Sequence, residues 1–127
     1  MNEKDYYAEI TSYYMNDGDE RSVAWEAKIT KSRRVSLSAL SSHQEEKLLR
    51  AEESYGEKIP DIGKSRKPFD GWVLKKAKSV VVIIFYEPRK TRVFEVFIRD
   101  WIEARYTSRK KSLTLSEVEA LGNELFL

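Results

Sequence analysis

The sequence predicts an α/β (α+β) fold, a single domain over residues 1–127 in which a mixed β-sheet is flanked by helices. Three observations carry that expectation. Ser79-Val-Val-Val-Ile-Ile-Phe-Tyr86 is apolar on both faces, the pattern of a central strand covered on both sides. From Leu37 to Tyr55 the apolar period lengthens, so that Leu37, Leu40, Leu48 and Ala51 share one helical face. Ser42-His-Gln-Glu45 and Thr114-Leu-Ser-Glu117 both fit the capping box, in which a hydroxyl and a carboxylate satisfy two free N–H groups at a helix start.

Taken in order, Tyr6 to Tyr14 is rich in aromatic and β-branched residues and predicts a strand. Asn16-Asp17-Gly18-Asp19 follows as a turn, and Val23 to Thr30 is a second strand, so residues 5–30 are expected to form an antiparallel hairpin. Lys31 to Arg34 is a basic connector. A helix starts near Ser41 or Ser42 and ends before Gly56. Lys58 to Phe69, with two of the three prolines, is an irregular loop, and Asp70 to Leu74 a short strand. After the central strand, Glu87-Pro-Arg-Lys turns the chain into a hairpin partner over Arg92 to Ile98. A helix then begins at Asp100, and a short C-terminal helix opens at Thr114.

With 127 residues the chain can bury a core without staples, and with no cysteine it can form neither a disulfide nor a thiolate metal site. No apolar run is long enough to span a membrane, and Met1-Asn2-Glu3-Lys4-Asp5 lacks a signal-peptide core; a soluble, cytoplasmic or otherwise intracellular protein is expected. The net charge of +2 hides an asymmetry. Between Asp61 and Lys111, 14 Lys or Arg stand against 6 Asp or Glu, a balance of +8; the remainder carries 9 against 15, a balance of −6. A basic half of this kind suits a polyanionic partner such as DNA.

The residues that point to chemistry are Glu26 and Lys28 in Val23-Ala24-Trp25-Glu26-Ala27-Lys28-Ile29. Period-two alternation puts both on one face of a strand, with Val23, Trp25, Ala27 and Ile29 on the other. A carboxylate can hold a divalent cation while a neighbouring ammonium orients water or offsets charge on phosphate. The plainer alternative is a surface ion pair. Gln44 falls on the stripe of Leu40 and Leu48 in the first turn of the following helix, where a polar amide either needs a partner facing the site or reaches solvent from the stripe's edge. No phosphate-binding glycine loop, His/Cys metal spacing or serine-nucleophile elbow is present.

Trp25-Glu-Ala-Lys-Ile-Thr-Lys-Ser32, then Val35-Ser-Leu-Ser-Ala-Leu-Ser-Ser-His-Gln44 and an amphipathic helix, resembles the PD-(D/E)XK nuclease superfamily, and within it the phage and RecU-type Holliday-junction resolvases. The likeness covers residues 22–55 and, more loosely, Ser79 to Trp101. It implies a restriction-endonuclease-like fold, Mg²⁺- or Mn²⁺-dependent cleavage of DNA with branched junctions favoured, a homodimer, and a phage- or virus-encoded origin. On this resemblance Glu26 is a metal ligand, Lys28 the catalytic lysine and Gln44 an accessory polar residue.

The family also needs an aspartate at a strand start. Asp5 precedes Glu26 in the usual order, whereas Asp70 in Lys67-Pro68-Phe69-Asp70-Gly71 has the better-matching flanks but would require a rearranged, permuted strand order. Asp70 is the favoured ligand, with Asp5 the alternative and Glu9 a weaker one. The family's leading helix, which carries a glutamate, is expected to be missing because only four residues precede Asp5; Glu45 or Asp61 could substitute for its acid. Lys31, Arg33, Arg34, Lys64, Arg66, Lys67, Lys75 and Lys76 are the candidate DNA contacts, with Trp72 and the Arg105 to Lys111 run as further surfaces. Alternatives to an enzyme are an inactive DNA-binding module of the same fold and a small phage-type structural or regulatory protein.

Overall fold

A computed structural model describes residues 2–16, 23–52, 55–58, 72–75 and 78–127. The chain begins with a 3₁₀ turn, Glu3–Tyr6, that runs into helix α1, Tyr7–Asn16. Strand β1 spans Val23–Thr30 and β2 Arg34–Ser36; a 3₁₀ turn at Leu37–Ala39 leads to α2, Ser42–Glu52. Strands β3, Tyr55–Lys58, and β4, Trp72–Lys75, pair with each other in a two-stranded antiparallel sheet. Then come β5, Lys78–Phe85, β6, Arg92–Phe97, and α3, Ile98–Ile102, which widens into a π turn over Glu103–Thr107. Strand β7, Ser112–Thr114, helix α4, Leu115–Leu121, and strand β8, Asn123–Leu125, close the chain.

The fold is mixed α+β. Its four-stranded sheet has the order β1-β5-β6-β8, with β1 parallel to β5 and the other pairs antiparallel. The doubly apolar run is the central strand expected of it: Val80 to Ile84 are all 0% exposed. Val81, Ile83 and Phe85 face a core shared with Leu48 of α2, Trp101 of α3 and Val118 of α4. Val80, Val82 and Ile84 face Ile10 and Tyr14 of α1. Helices therefore cover both faces, and each buried Val or Ile side chain contributes about 1.5–3 kcal/mol relative to exposure.

Two expectations fail at the N-terminus. The segment Tyr6 to Tyr14 is helical, and residues 5–30 are not a hairpin, since β1 pairs in parallel with β5. Helical spacing explains this: Ile10 and Tyr14, four residues apart, are the two buried side chains, and Tyr6 and Tyr13 pack beside them. Asn2 accepts a hydrogen bond from the Lys4 N–H while its own N–H donates to Asp5 Oδ2 at 2.8 Å, which opens the first turn. Burial and capping here override the strand preference of the aromatics. A helix does therefore precede the Glu26 strand, and Glu9 lies exposed on it.

Helix α2 starts at Ser42 as expected, but its capping box is shifted by one residue. The reciprocal bonds join Ser41 and Gln44, not Ser42 and Glu45: Gln44 N–H donates to Ser41 Oγ and Ser41 N–H to Gln44 Oε1, both at 3.1 Å. Leu37 lies in the preceding 3₁₀ turn. Strand β4 covers the described part of the strand expected over Asp70 to Leu74, whose first two residues lie outside the described residues, and α3 begins at Ile98 instead of Asp100. The β2–β7 ribbon and β8 were not anticipated; at three residues each they are too short to show a period. The expected box at Thr114 and Glu117 is present. Asn16 closes α1; the rest of the expected Asn16–Asp19 turn lies outside the described residues.

Gly122 lets β8 approach β6. A Cβ there would sit 2.1 Å from the Glu95 carbonyl oxygen and 3.0 Å from Val96 Cγ2. Gly122→Ala must displace backbone, and should lower unfolding free energy by about 1–3 kcal/mol in urea denaturation. Glu117 gives an acid-stability prediction. Its carboxyl is held down from 4.5 to about 2, first by the Lys110 ammonium and then by the Thr114 N–H. A depressed folded pKa means stabilisation that is complete above 4.5 and lost as pH falls towards 2. Glu117→Gln should therefore lower Tm at pH 7 and flatten the fall of Tm between those two pH values.

Candidate functional site

Strand alternation places Glu26 and Lys28 on the face of β1 that looks towards α2, as the sequence predicts. In register they sit beside Val81 and Ile83, which belong to the α2-side core, while Val23, Trp25, Ala27 and Ile29 pack on the α1 side. Both polar side chains are half-buried. The plain alternative of an ion pair does not hold: among the described residues Lys28 forms no ion pair, with Glu26 or any other acid.

Gln44 comes to Glu26. Its Nε2 donates to Glu26 Oε2 at 3.4 Å across 18 residues of chain. The contact is long for a hydrogen bond and orients more than it stabilises. The amide is fixed from its other end, because Oε1 accepts the Ser41 N–H. One glutamine thus closes the helix cap and presents its NH₂ group to the strand carboxylate. Three side chains picked from sequence are gathered on one half-buried face at the edge of the sheet.

The remaining candidates divide. Asp5 is not at a strand start; it lies in the 3₁₀ turn, exposed, with its carboxylate accepting from Asn2. That turn leads into α1, which packs on the sheet face opposite to α2. Asp70, Asp61, Lys64, Arg66, Lys67 and Lys76 lie outside the described residues, and Lys75 and Trp72 enter only through the backbone of β4. His43 is solvent-facing. Lys31 is exposed; Arg33 pairs with Glu87 at 3.5 Å, and Arg34 Nη1 donates to Ser112 Oγ at 2.8 Å. Among the described residues, no three His, Asp or Glu side chains gather as a metal-ligand group.

Glu45 does not substitute for an acid of the site. It is 4% exposed and fully engaged: Arg105 Nη1 donates to Oε2 at 2.8 Å and Tyr106 OH to Oε1 at 2.7 Å. The hydrogen bond to Glu45, with burial next, raises the Tyr106 pKa above its ordinary value. Arg105 also donates to the Leu40 carbonyl at 3.0 Å, so this arginine ties α2 and the residues just before it to the π turn. Sequence reasoning missed the pair because Glu45 looks like an ordinary first-turn acid and the two partners are 60 residues apart.

Comparison of the chain with protein-family models, with curated proteins and with solved structures finds no match.

The Glu45 pair supports the candidate site mechanically, since it fixes the turn of α2 that carries Gln44. Removing one partner of a buried pair strands the other charge. Arg105 is partly exposed, which reduces the effect, so Arg105→Met should cost on the order of 2 kcal/mol by urea denaturation. Adding Glu45→Leu to that variant should recover most of the loss.

Proposed function

We propose that the protein is a metal-dependent endodeoxyribonuclease of the PD-(D/E)XK type, with Glu26, Lys28 and Gln44 as the core of its site. The observation that carries the reading is the approach of Gln44 to Glu26, on the face that also bears Lys28. The resemblance implies a glutamine in the first turn of this helix; here one end of its amide closes the cap on Ser41 and the other end is turned to the strand carboxylate.

The donor chemistry suits a hard cation. Mg²⁺ is commonly held by one or two carboxylates, with water and substrate phosphate oxygens filling the other positions. Glu26 offers one carboxylate, and Asp70 is the favoured second by the resemblance, with Asp5 the alternative. When bound, Mg²⁺ or Mn²⁺ would supply Lewis acidity towards the scissile phosphate and a more acidic water. The Gln44 amide holds the Glu26 carboxylate in one orientation. Lys28, unpaired among the described residues, is available to neutralise charge that develops on the phosphate oxygens. Branched DNA is the preferred substrate and a homodimer the working form, both by resemblance.

A DNA-binding module of the same fold is the second reading, favoured by the single carboxylate that the described residues place at the site. Cleavage of a labelled four-way junction, a duplex and a single strand in Mg²⁺ or Mn²⁺ separates the two. Wild type should cut, Glu26→Ala should abolish cutting, Lys28→Ala should slow it about 100-fold or more, and Gln44→Ala about tenfold. Intact substrates, or mutants as active as wild type, would overturn the enzyme reading; salt-sensitive retention without cutting would leave the binding module.

A further inference from the structure

The β2–β7 ribbon has a groove at each end, and both are lined by cations and hydroxyls. At the Arg34–Thr114 end the lining includes Ser32, Arg33, Arg34 and Ser116. At the Ser36–Ser112 end it includes Ser36, Ser38, Tyr106, Arg109, Lys110 and Lys111. No carboxylate lines either groove among the described residues. One acid lies near: Glu117 pairs with Lys110, which leaves Arg109 and Lys111 as cations with no acidic partner among the described residues.

The second groove has a feature that charge alone does not explain. Tyr106 is 53% exposed, although its hydroxyl is anchored on the buried Glu45. The Arg105 guanidinium lies over its ring, 5.1 Å from the centroid, and is itself tied to Glu45. An aromatic ring is thus locked at both its hydroxyl and one face while the rest stays open to solvent. Next to it the backbone is pinned: Ser108 N–H donates to the Glu103 carbonyl, Lys110 N–H to Ala104 and Leu37 N–H to Lys111, each at 2.9 Å. Within that turn Arg109 adopts φ 53°, a left-handed conformation that arginine rarely takes. The turn therefore puts an arginine into the lining of the same groove as the ring, at a position where glycine would be conformationally easier.

From this we infer that the Tyr106–Lys111 groove binds single-stranded DNA, with Arg109 and Lys111 on successive phosphates and a base stacked on Tyr106. Fixed aromatic platforms flanked by cations recognise unpaired bases without sequence preference. A duplex keeps its bases stacked on each other and offers the ring nothing. The groove shares its DNA partner with the nuclease proposal, and none of that proposal's chemistry; it would place an unpaired arm of a branched substrate.

The test is fluorescence anisotropy of the full chain with a labelled oligothymidylate and with a duplex, in EDTA so that cleavage plays no part, over a salt series. Wild type should bind the single strand more tightly than the duplex. Tyr106→Phe keeps the ring and should bind within about twofold of wild type, whereas Tyr106→Leu should lose about fivefold or more. Arg109→Asn, which tolerates the same backbone, combined with Lys111→Gln should weaken binding and reduce the slope of log K against log salt by about 1.4. Melting curves of each variant exclude unfolding, and Arg109→Asn/Lys111→Gln touches no buried contact. Duplex preferred over single strand, Tyr106→Leu binding like Tyr106→Phe, or an unchanged salt slope would each overturn the inference. Failure of cleavage with these results intact would count against the nuclease reading alone.

Discussion

The parallel pairing of β1 with β5 is the constraint from which the rest follows. Parallel neighbours cannot be joined by a tight turn, so the chain must leave the sheet after Thr30 and return at Lys78. Helix α2 lies in that crossover and packs on β1 and β5. Its first turn carries Gln44 to the strand face bearing Glu26, so the contact at the candidate site results from the crossover. The same pairing makes β5 interior, with apolar side chains on both faces. One face is covered by α2 and the later helices. Among the described residues the other is covered by the N-terminal segment, whose helix brings Ile10 and Tyr14 onto Val80, Val82 and Ile84.

Each face of the sheet is also pinned by one buried glutamate. On the α1 side Glu95 accepts from Tyr14 OH at 2.8 Å, Lys78 Nζ at 2.7 Å and Asn123 Nδ2 at 3.3 Å, drawing α1, β5 and β8 onto β6. On the α2 side Glu45 accepts from Arg105 and Tyr106. A buried carboxylate is costly unless its oxygens are satisfied, and these donors come from elements far apart in sequence. Such pins add less to stability than they do to uniqueness of arrangement: a shifted helix would leave the acid unpaired. Near the candidate site this matters, because a contact as long as that of Gln44 with Glu26 depends on the exact seat of α2.

What was legible in the sequence follows the strength of the local signal. The central strand, its hairpin partner, the Glu26 strand with its two faces, and the Thr114 cap could be read because period or cap chemistry was unambiguous over enough residues. The N-terminal helix was misread because Tyr6, Ile10, Tyr13 and Tyr14 satisfy a helical stripe while their residue types favour strands, and only the face of β5 decides between them. The Ser41–Gln44 cap was displaced by one residue because Ser41-Ser42-His-Gln-Glu45 contains two overlapping boxes; the buried partner of Glu45 selects one. For the site, Gln44 was found from its place on the stripe, but the pairing of Glu45 with Arg105 has no local trace.

Charge counted along the chain also differs from charge in space. The +8 segment from Asp61 to Lys111 and the acidic remainder are not separate halves once folded. Arg92 takes Glu119 and Glu124, Arg99 takes Glu52, Arg105 takes Glu45 and Lys110 takes Glu117, so acids from outside the segment neutralise four of its cations. The Glu124 carboxyl is accordingly held below its ordinary range, chiefly by Arg92. Among the described residues, exposed cations remain at Lys31 to Arg34, at Arg89 and Lys90, and at Arg109 to Lys111, although Arg33 pairs with Glu87 and Lys110 with Glu117; the first and last of these groups adjoin one ribbon. The β2–β7 ribbon joins them, with Arg34 opposite Thr114 and Leu37 bonded to Lys111. Counterion release depends on cations that are still free to meet phosphate. The groove proposed above for single-stranded DNA lies where two such cations, Arg109 and Lys111, have no acidic partner among the described residues.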